Sequence, residues 1–366
     1  MPPGRPRRTS FPTISEVAAE AGVGRASAAR ALGDYGSVSP EMRRKVEEAA
    51  RRLGYRPNAL AWSMSTGVTR TVGVVVGDVS NPFFGAVTRG ISDQMHTEEI
   101  DCLVASTDED VVTEAEIIEA LVRKQVDGII VASTAGVDHP VLHLEAARTL
   151  GVPVVLVDRV LRRFEAPAVV LDNVAAARAA TQLLLDAGHR RIGLVWGPAV
   201  GDHPTGPPGD TLSTIGERFE GYRDALAAAG LEVDERLVAP RPATLADAPR
   251  ATASMLTLDD PPTALVTTES DATLTTLRRL RDHGLRCPED VSVVAFDDAP
   301  WTDLTDPPLS VVRQPAVDMG RHAARILLAL MAKTGADTGP DAAEPTGTVV
   351  LPADILVRAS VAAPRA

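Results

Sequence analysis

The chain has 366 residues, 45% of them hydrophobic and 23% charged, and two cysteines far apart in sequence. This composition belongs to a globular protein with enough chain for two or three cores. It excludes a disulfide framework, and no apolar run approaches the ~20 residues needed to span a bilayer as a helix. The net charge of −12 is unevenly spread: residues 1–70 carry 12 basic and 6 acidic side chains, a net of +6, and the remainder carries −18. A basic head on an acidic body fits a phosphate-binding module joined to a domain that stays off a polyanion.

Residues 1–12 read as a disordered arm, basic and Pro-rich, with no apolar signal core behind it, so a cytoplasmic location is expected. From Thr13 the pattern turns helical. Thr13 caps, Glu16 stands at the capping-box spacing, and Ile14, Val17, Ala18 and Ala21 recur at helical intervals. Gly22-Val23-Gly24 breaks that helix, and a second runs from Arg25 to Leu32. Ser39-Pro40-Glu41 opens a third, which ends at Gly54. A hinge helix and linker over 57–70 follow the head of 13–56, with Asn58 to Met64 helical.

From Thr71 the character changes. The run Thr71–Val76 reads as a strand buried on both faces. Similar runs recur at Cys102–Ala105, Gly128–Ala132, Val154–Val157, Ile192–Val195, Ala264–Thr267 and Val291–Phe296. Helical stretches separate most of them, which predicts doubly wound parallel sheets, and the span is long enough for two. Pro/Gly-rich loops are expected over 199–213 and 334–348.

Two helices joined by a Gly-containing turn form a helix-turn-helix candidate. The small residues Ala18 and Ala21, with Val23, let the helices approach, and the second helix exposes Arg25, Ser27 and Arg30. Arginine can bond two guanine acceptors at once, Ala26 can meet a thymine methyl, and Ser27 can reach a phosphate. A small helical bundle with solvated arginines satisfies the same periodicity.

The segment from Thr13 to Leu32 resembles the DNA-binding head of the LacI/GalR family of bacterial repressors. Val38-Ser39-Pro40-Glu41 and the stretch from Leu53 to Ala61 match that family's third helix and hinge. The resemblance continues in order through Asn81-Pro82-Phe83-Phe84, Val126 to Ile130, Pro153 to Arg159, Gly188 to Ile192, Pro288 to Val294, Pro307 to Ser310 and Arg313-Gln314-Pro315. It implies an α/β fold: an N-terminal helix-turn-helix head plus a periplasmic-binding-protein-like, two-lobed, doubly wound parallel-sheet domain over 71–366. The first lobe is expected at about 71–167 and 312–333, and the second at about 168–311 and 334–360. It implies a dimeric repressor that reads a near-palindromic operator and is gated by an effector, a sugar or a related polyol or nucleoside.

The resemblance assigns DNA contacts to Thr13, Arg25, Ala26, Ser27 and Arg30 in the head and to Asn58, Ala61 and Met64 in the hinge, whose helix enters the minor groove. It assigns the effector to Phe83, Phe84, Asp158, Arg159, Arg218, Glu269 and Asp297. Three departures bear on operator choice: Met64 where leucine is usual, Trp62 where arginine is common, and Gly24 where serine caps. Two bear on the effector: Glu269-Ser270 stands where the family has Asn-Asp, and the 199–213 loop is longer than usual. The Arg218 side chain has a second reading, as an ion-pair partner of Glu217 or Glu220, and Trp301 has two, ring stacking or loop packing.

No enzymatic set is visible. There is no Gly-x-Ser-x-Gly elbow or phosphate loop, and Gly22-Val23-Gly24 has no preceding strand. His139 and His143 are four apart but lack a third ligand and read as a solvated helix face, so neither metal nor cofactor is expected. A periplasmic sugar-binding protein shares the body fold but not the basic head.

Overall fold

The computed structural model describes residues 12–33, 37–55, 67–196, 211–239, 248–334 and 347–365. The expected hinge helix, the bulk of the 199–213 loop and the 335–346 stretch fall outside them. By contacts the chain divides into residues 1–69 and 70–366.

The head is three helices, α1 (Ile14–Ala21), α2 (Arg25–Gly33) and α3 (Pro40–Leu53). The boundaries of α1 and α3 have local causes. The Thr13 hydroxyl accepts from Glu16 N while Glu16 reaches back to Thr13 N, closing the capping box. Gly22 ends α1 at φ +64°, a left-handed conformation that glycine adopts without steric cost. Ser39 caps α3 ahead of Pro40, which suits the first turn because it has no N–H to satisfy there. The three helices close over Val17, Ala18, Ala28, Ala31, Val46, Ala49 and Ala50, a core of small side chains that holds the helices close.

The body opens with β1 (Thr71–Val76), α4 (Pro82–Thr97), β2 (Asp101–Ser106), α5 (Val111–Arg123), β3 (Gly128–Val131), α6 (Leu142–Thr149), β4 (Val154–Val157) and β5 (Ala168–Leu171). It continues with α7 (Asn173–Asp186), β6 (Ile192–Val195), α8 (Ser213–Ala228), α9 (Ala248–Leu256), β7 (Ala264–Thr267), α10 (Ser270–Asp282), β8 (Ser292–Phe296) and β9 (Ser310–Arg313). It closes with α11 (Ala316–Thr334), β10 (Thr348–Leu351) and β11 (Asp354–Leu356). One sheet has the order β10-β5-β4-β3-β1-β2 and is parallel throughout. The other has the order β11-β9-β8-β7-β6, with only β11 antiparallel. Each sheet is covered by apolar clusters on both faces, as its β-branched strands require.

The lobe boundaries differ from the sequence expectation. Residues 168–171 and 348–351 pair with each other inside the first sheet, and 310–313 lie in the second. The chain therefore crosses between lobes after β5, after β9 and after β10. A four-residue apolar strand fits either sheet equally well, so only pairing across the sheet decides its lobe. β2 also departs from the buried pattern: it is an edge strand with Leu103 and Val104 exposed. His143 is not on a solvated face, and His139 precedes the helix. The His143 ring is buried and bonds the fully buried Glu114 carboxylate at 2.8 Å, beside Ser133 and Thr134. Trp301 packs against the second lobe's core.

Two helix pairs are drawn unusually close. A Cβ on Gly90 of α4 would lie 2.0 Å from the Val317 carbonyl oxygen, and one on Gly320 of α11 would lie 2.1 Å from that of Val87. Gly221 of α8 plays the same part against Val174 at the start of α7. In each lobe a glycine thus lets two helix backbones touch on one face of the sheet. Among the described residues no helix is long and apolar enough to cross a membrane.

Candidate functional site

A cavity of about 300 Å³ lies between the two lobes of the body, at the carboxyl ends of the strands of both sheets. This is where open α/β sheets place ligands, because the loops leaving the strands converge there. Asp78 follows β1, Glu109 follows β2 and Asp158 follows β4; across the gap, Trp196, Glu269, Asp297 and Gln314 follow β6, β7, β8 and β9. All seven body residues singled out in the sequence, Phe83, Phe84, Asp158, Arg159, Arg218, Glu269 and Asp297, line this cavity.

The aromatic wall is set by a helix start. The Asn81 side chain accepts from Phe83 N at 3.0 Å and Pro82 occupies the first turn, which fixes where α4 begins. Phe83 and Phe84 then meet edge to face, centroids 5.2 Å apart. They serve in packing and lining together: both belong to the first lobe's core and both border the cavity.

Two aspartates hold matching positions in the two lobes. Asp158 follows β4 at φ +68° and Asp297 follows β8 at φ +76°. Left-handed backbone is strained for a non-glycine residue and collects at functional sites. Around Asp158 it is accompanied by a γ-turn, in which Arg159 N donates to Val157 O at 2.8 Å. Asp297 accepts from the Gln314 amide at 2.7 Å. Burial pushes both carboxyls above the ordinary range, although Arg159 and Arg218 pull Asp158 back and Arg218 pulls Asp297 back.

The two arginines are held rather than free. Arg159 forms a two-pronged pair with Glu109, 2.6 Å on each arm, donates to Ser133 O and lies 5.6 Å from the Phe84 ring. Burial works against its charged form, but Glu109, with Asp158 and Glu114 behind it, outweighs burial and holds the guanidinium proton more firmly than usual. Arg218 does not pair with Glu217 or Glu220. It donates to Asn173 Oδ1 at 2.9 Å and to the Thr268 carbonyl, and it stacks 4.4 Å from the Phe296 ring. Asn173 is in turn bonded to Glu217.

Glu269 is the outlier. Burial, then the charges of Asp271, Glu109 and Asp297, lift its carboxyl to about 8 against the pull of Arg218. Its Oε1 is buried and lacks a hydrogen-bond partner. The sequence reading missed Glu109, Asp78, Asp271 and Gln314. Asp108-Glu109-Asp110 looks like a solvated acidic turn, and nothing local says that its middle side chain clamps an arginine. Gln314 had a weak signal in the Arg-Gln-Pro match.

In the head, Arg25, Ala26 and Arg30 are exposed on α2 and Ser27 is half-buried, while Ala28 and Ala31 of the same helix are buried. Arg30 Nε donates to Ala26 O at 3.3 Å. Thr13 is exposed and occupied in the capping box. Asn58, Ala61 and Met64 lie outside the described residues.

Comparison with known proteins places these features. Residues 13–58 match the family model described as bacterial regulatory proteins, lacI family. Residues 181–361 match the one described as a periplasmic binding protein-like domain. Catabolite control protein A of Priestia megaterium is 32% identical over 326 residues, covering 89% of this chain and 94% of that protein. The ribose operon repressor of Bacillus subtilis strain 168 is 33% identical over 322 residues, 88% of this chain and 92% of that one. The solved complex of the transcriptional regulator CelR with cellobiose is 31% identical with a TM-score of 0.67, covering 95% of this chain and 99% of that one. With identity above 30% along nearly the whole chain, this protein belongs to the LacI family of bacterial transcription regulators, which are not enzymes.

Proposed function

We propose that the protein is a homodimeric, cytoplasmic repressor that releases or grips a near-palindromic operator according to whether a small polyol occupies the interlobe cleft. The observation that carries the reading is the convergence of an aromatic wall, two aspartates and a fixed arginine on one cavity. Sugar hydroxyls need paired acceptors and donors, and their C–H faces need a ring to lie on. Asp158, Asp297 and Arg218 supply the first, and Phe83 and Phe84 the second. At about 300 Å³ the cavity suits one sugar ring. One relative is named for the ribose operon and another is solved with cellobiose, which supports a carbohydrate class.

In the head, Arg25 and Ala26 read base edges, with Ser27 and Arg30 on the same helix and Thr13 at the backbone. The hinge residues Asn58, Ala61 and Met64 enter the minor groove, with Met64 as the wedge. A second copy pairs along the first lobe, where Leu103 and Val104 on edge strand β2 and Val112 beside it are exposed. The effector acts by preferring one arrangement of the lobes, and it shifts operator affinity by no more than that preference.

The test is a mobility shift on DNA upstream of the protein's own gene, with and without a panel of sugars, polyols and nucleosides. A retarded dimer complex whose midpoint moves with a panel member is the expected result. No retardation at low salt, in any effector state, refutes the reading.

A further inference from the structure

We infer that the ligand of the interlobe cleft is a cationic polyol, a sugar-sized molecule whose protonated amine seats against Glu269 between the facing carboxylates of the two lobes. This rests on the reading of the cleft as the effector site and narrows its chemistry.

The cavity is lined by seven carboxylates, Asp78, Asp108, Glu109, Asp158, Glu269, Asp271 and Asp297, but only two arginines. Arg159 is bound by Glu109, and Arg218 is anchored through Asn173 Oδ1 and the Thr268 carbonyl, so the two arginines offset at most two of the seven carboxylates. Among the side chains lining the cavity, the buried polar atoms without a hydrogen-bond partner are two acceptors, Glu269 Oε1 and Gln314 Oε1, and one donor, Arg159 Nε, which lies 3.3 Å from Asp158 Oδ2. The carboxylates also oppose one another across the gap: Asp78 raises the pKa of Asp271, Glu109 that of Glu269, and Asp297 that of Asp158. Like charges on opposite lobes resist closure until something positive stands between them.

A neutral sugar relieves this poorly, because each hydroxyl brings one donor with two more acceptors. An ammonium brings three donors and no acceptor. The charge is organic rather than metallic, since among the described residues no three His, Cys, Asp or Glu side chains converge closely enough to hold a metal ion. The rings of Phe83 and Phe84 border the cavity and can meet the sugar's C–H groups, while the Phe84 ring already carries the Arg159 guanidinium 5.6 Å from its centre. The charged groups around Glu269 are Asp271 on its own helix, Glu109 from the first lobe, Asp297 after β8 and Arg218 on α8. Seating an ammonium there ionises Glu269, whose proton passes to the buffer.

The experiment is titration calorimetry on the full chain at pH 7 with matched pairs: glucosamine and glucose, galactosamine and galactose, mannosamine and mannose, with N-acetylglucosamine as the uncharged amide. The expected result is at least tenfold tighter binding of one amine than of its parent, lost on N-acetylation. Two buffers of different ionisation heat should show proton release approaching one per site. Glu269→Gln should cut the preference to under threefold and abolish the release, and Asp271→Asn should reduce the preference less. Parent sugars binding as tightly as the amines overturn the inference while leaving the effector cleft standing. Failure of every pair to bind below 10 mM also overturns it. Failure of the operator to be retarded is a separate result, which bears only on the DNA-binding reading.

Discussion

Replacing Glu269 with glutamine keeps the shape of the side chain and removes its titration. The Glu269 carboxyl sits at about 8 in the folded body against an ordinary 4.5, chiefly through burial. The folded state therefore holds a proton that the unfolded chain releases between those two values. The wild type loses stability as pH climbs through the window from 4.5 to about 8, and Glu269 adds no further slope on either side. Each tenfold change in proton affinity is worth about 1.4 kcal/mol, so ionising Glu269 in the unliganded cleft costs about 5 kcal/mol at most. The side chain borders an open cleft, and water entering as the lobes part reduces the loss to about 2–3 kcal/mol. For a body of this size that is about 5 °C in melting temperature. Scanning calorimetry of wild type and Glu269→Gln at pH 4, 7 and 9 should show curves that coincide at pH 4 and diverge by that amount at pH 9, the variant being the more stable. Parallel curves across the range, or a variant less stable at pH 9, would refute the assignment of a buried, repelled carboxyl.

Three further outcomes follow from the packing and the head. Gly320→Ala places a methyl 2.1 Å from the Val87 carbonyl, forces α4 and α11 apart and should cost about 2–3 kcal/mol in urea unfolding; unchanged stability would contradict the close helix contact. Glu109→Gln removes the two-pronged partner of the buried Arg159 guanidinium and leaves it the longer, 3.3 Å contact to Asp158, with an expected loss of about 3 kcal/mol in the same assay, and a neutral outcome would mean that Asp158 and solvent compensate the pair. Arg25→Ala should weaken binding to the upstream operator by about tenfold or more while calorimetric binding in the cleft is retained, and equal loss of both would contradict the modular reading.

Much of this molecule is legible locally. Thr13 with Glu16, Gly22, Ser39 with Pro40 and Gly54 mark the head's helix ends because each satisfies or terminates backbone groups within a turn of itself. Seven of the eleven strands among the described residues, β1 to β4 and β6 to β8, are legible for a similar reason, since a β-branched run bounded by helical periodicity reads as a strand, whereas β5, β9, β10 and β11 carried no such signal. The charge split between head and body needs only counting, and the seven cleft residues were found by ordered likeness to a family, each motif carrying its neighbours' register.

What the tertiary structure decided is what depends on distant partners. β5 and β10 join the first sheet and β9 the second because of pairings some 180 residues apart or across a crossover, which a four-residue run cannot encode. The burial of His143 depends on Glu114, 29 residues away, and the anchoring of Arg159 depends on Glu109, 50 residues away. The sequence alone marked Glu269 as a departure. Only the fold set Glu109, Asp271 and Asp297 around it, because electrostatic repulsion acts through space and not along the chain.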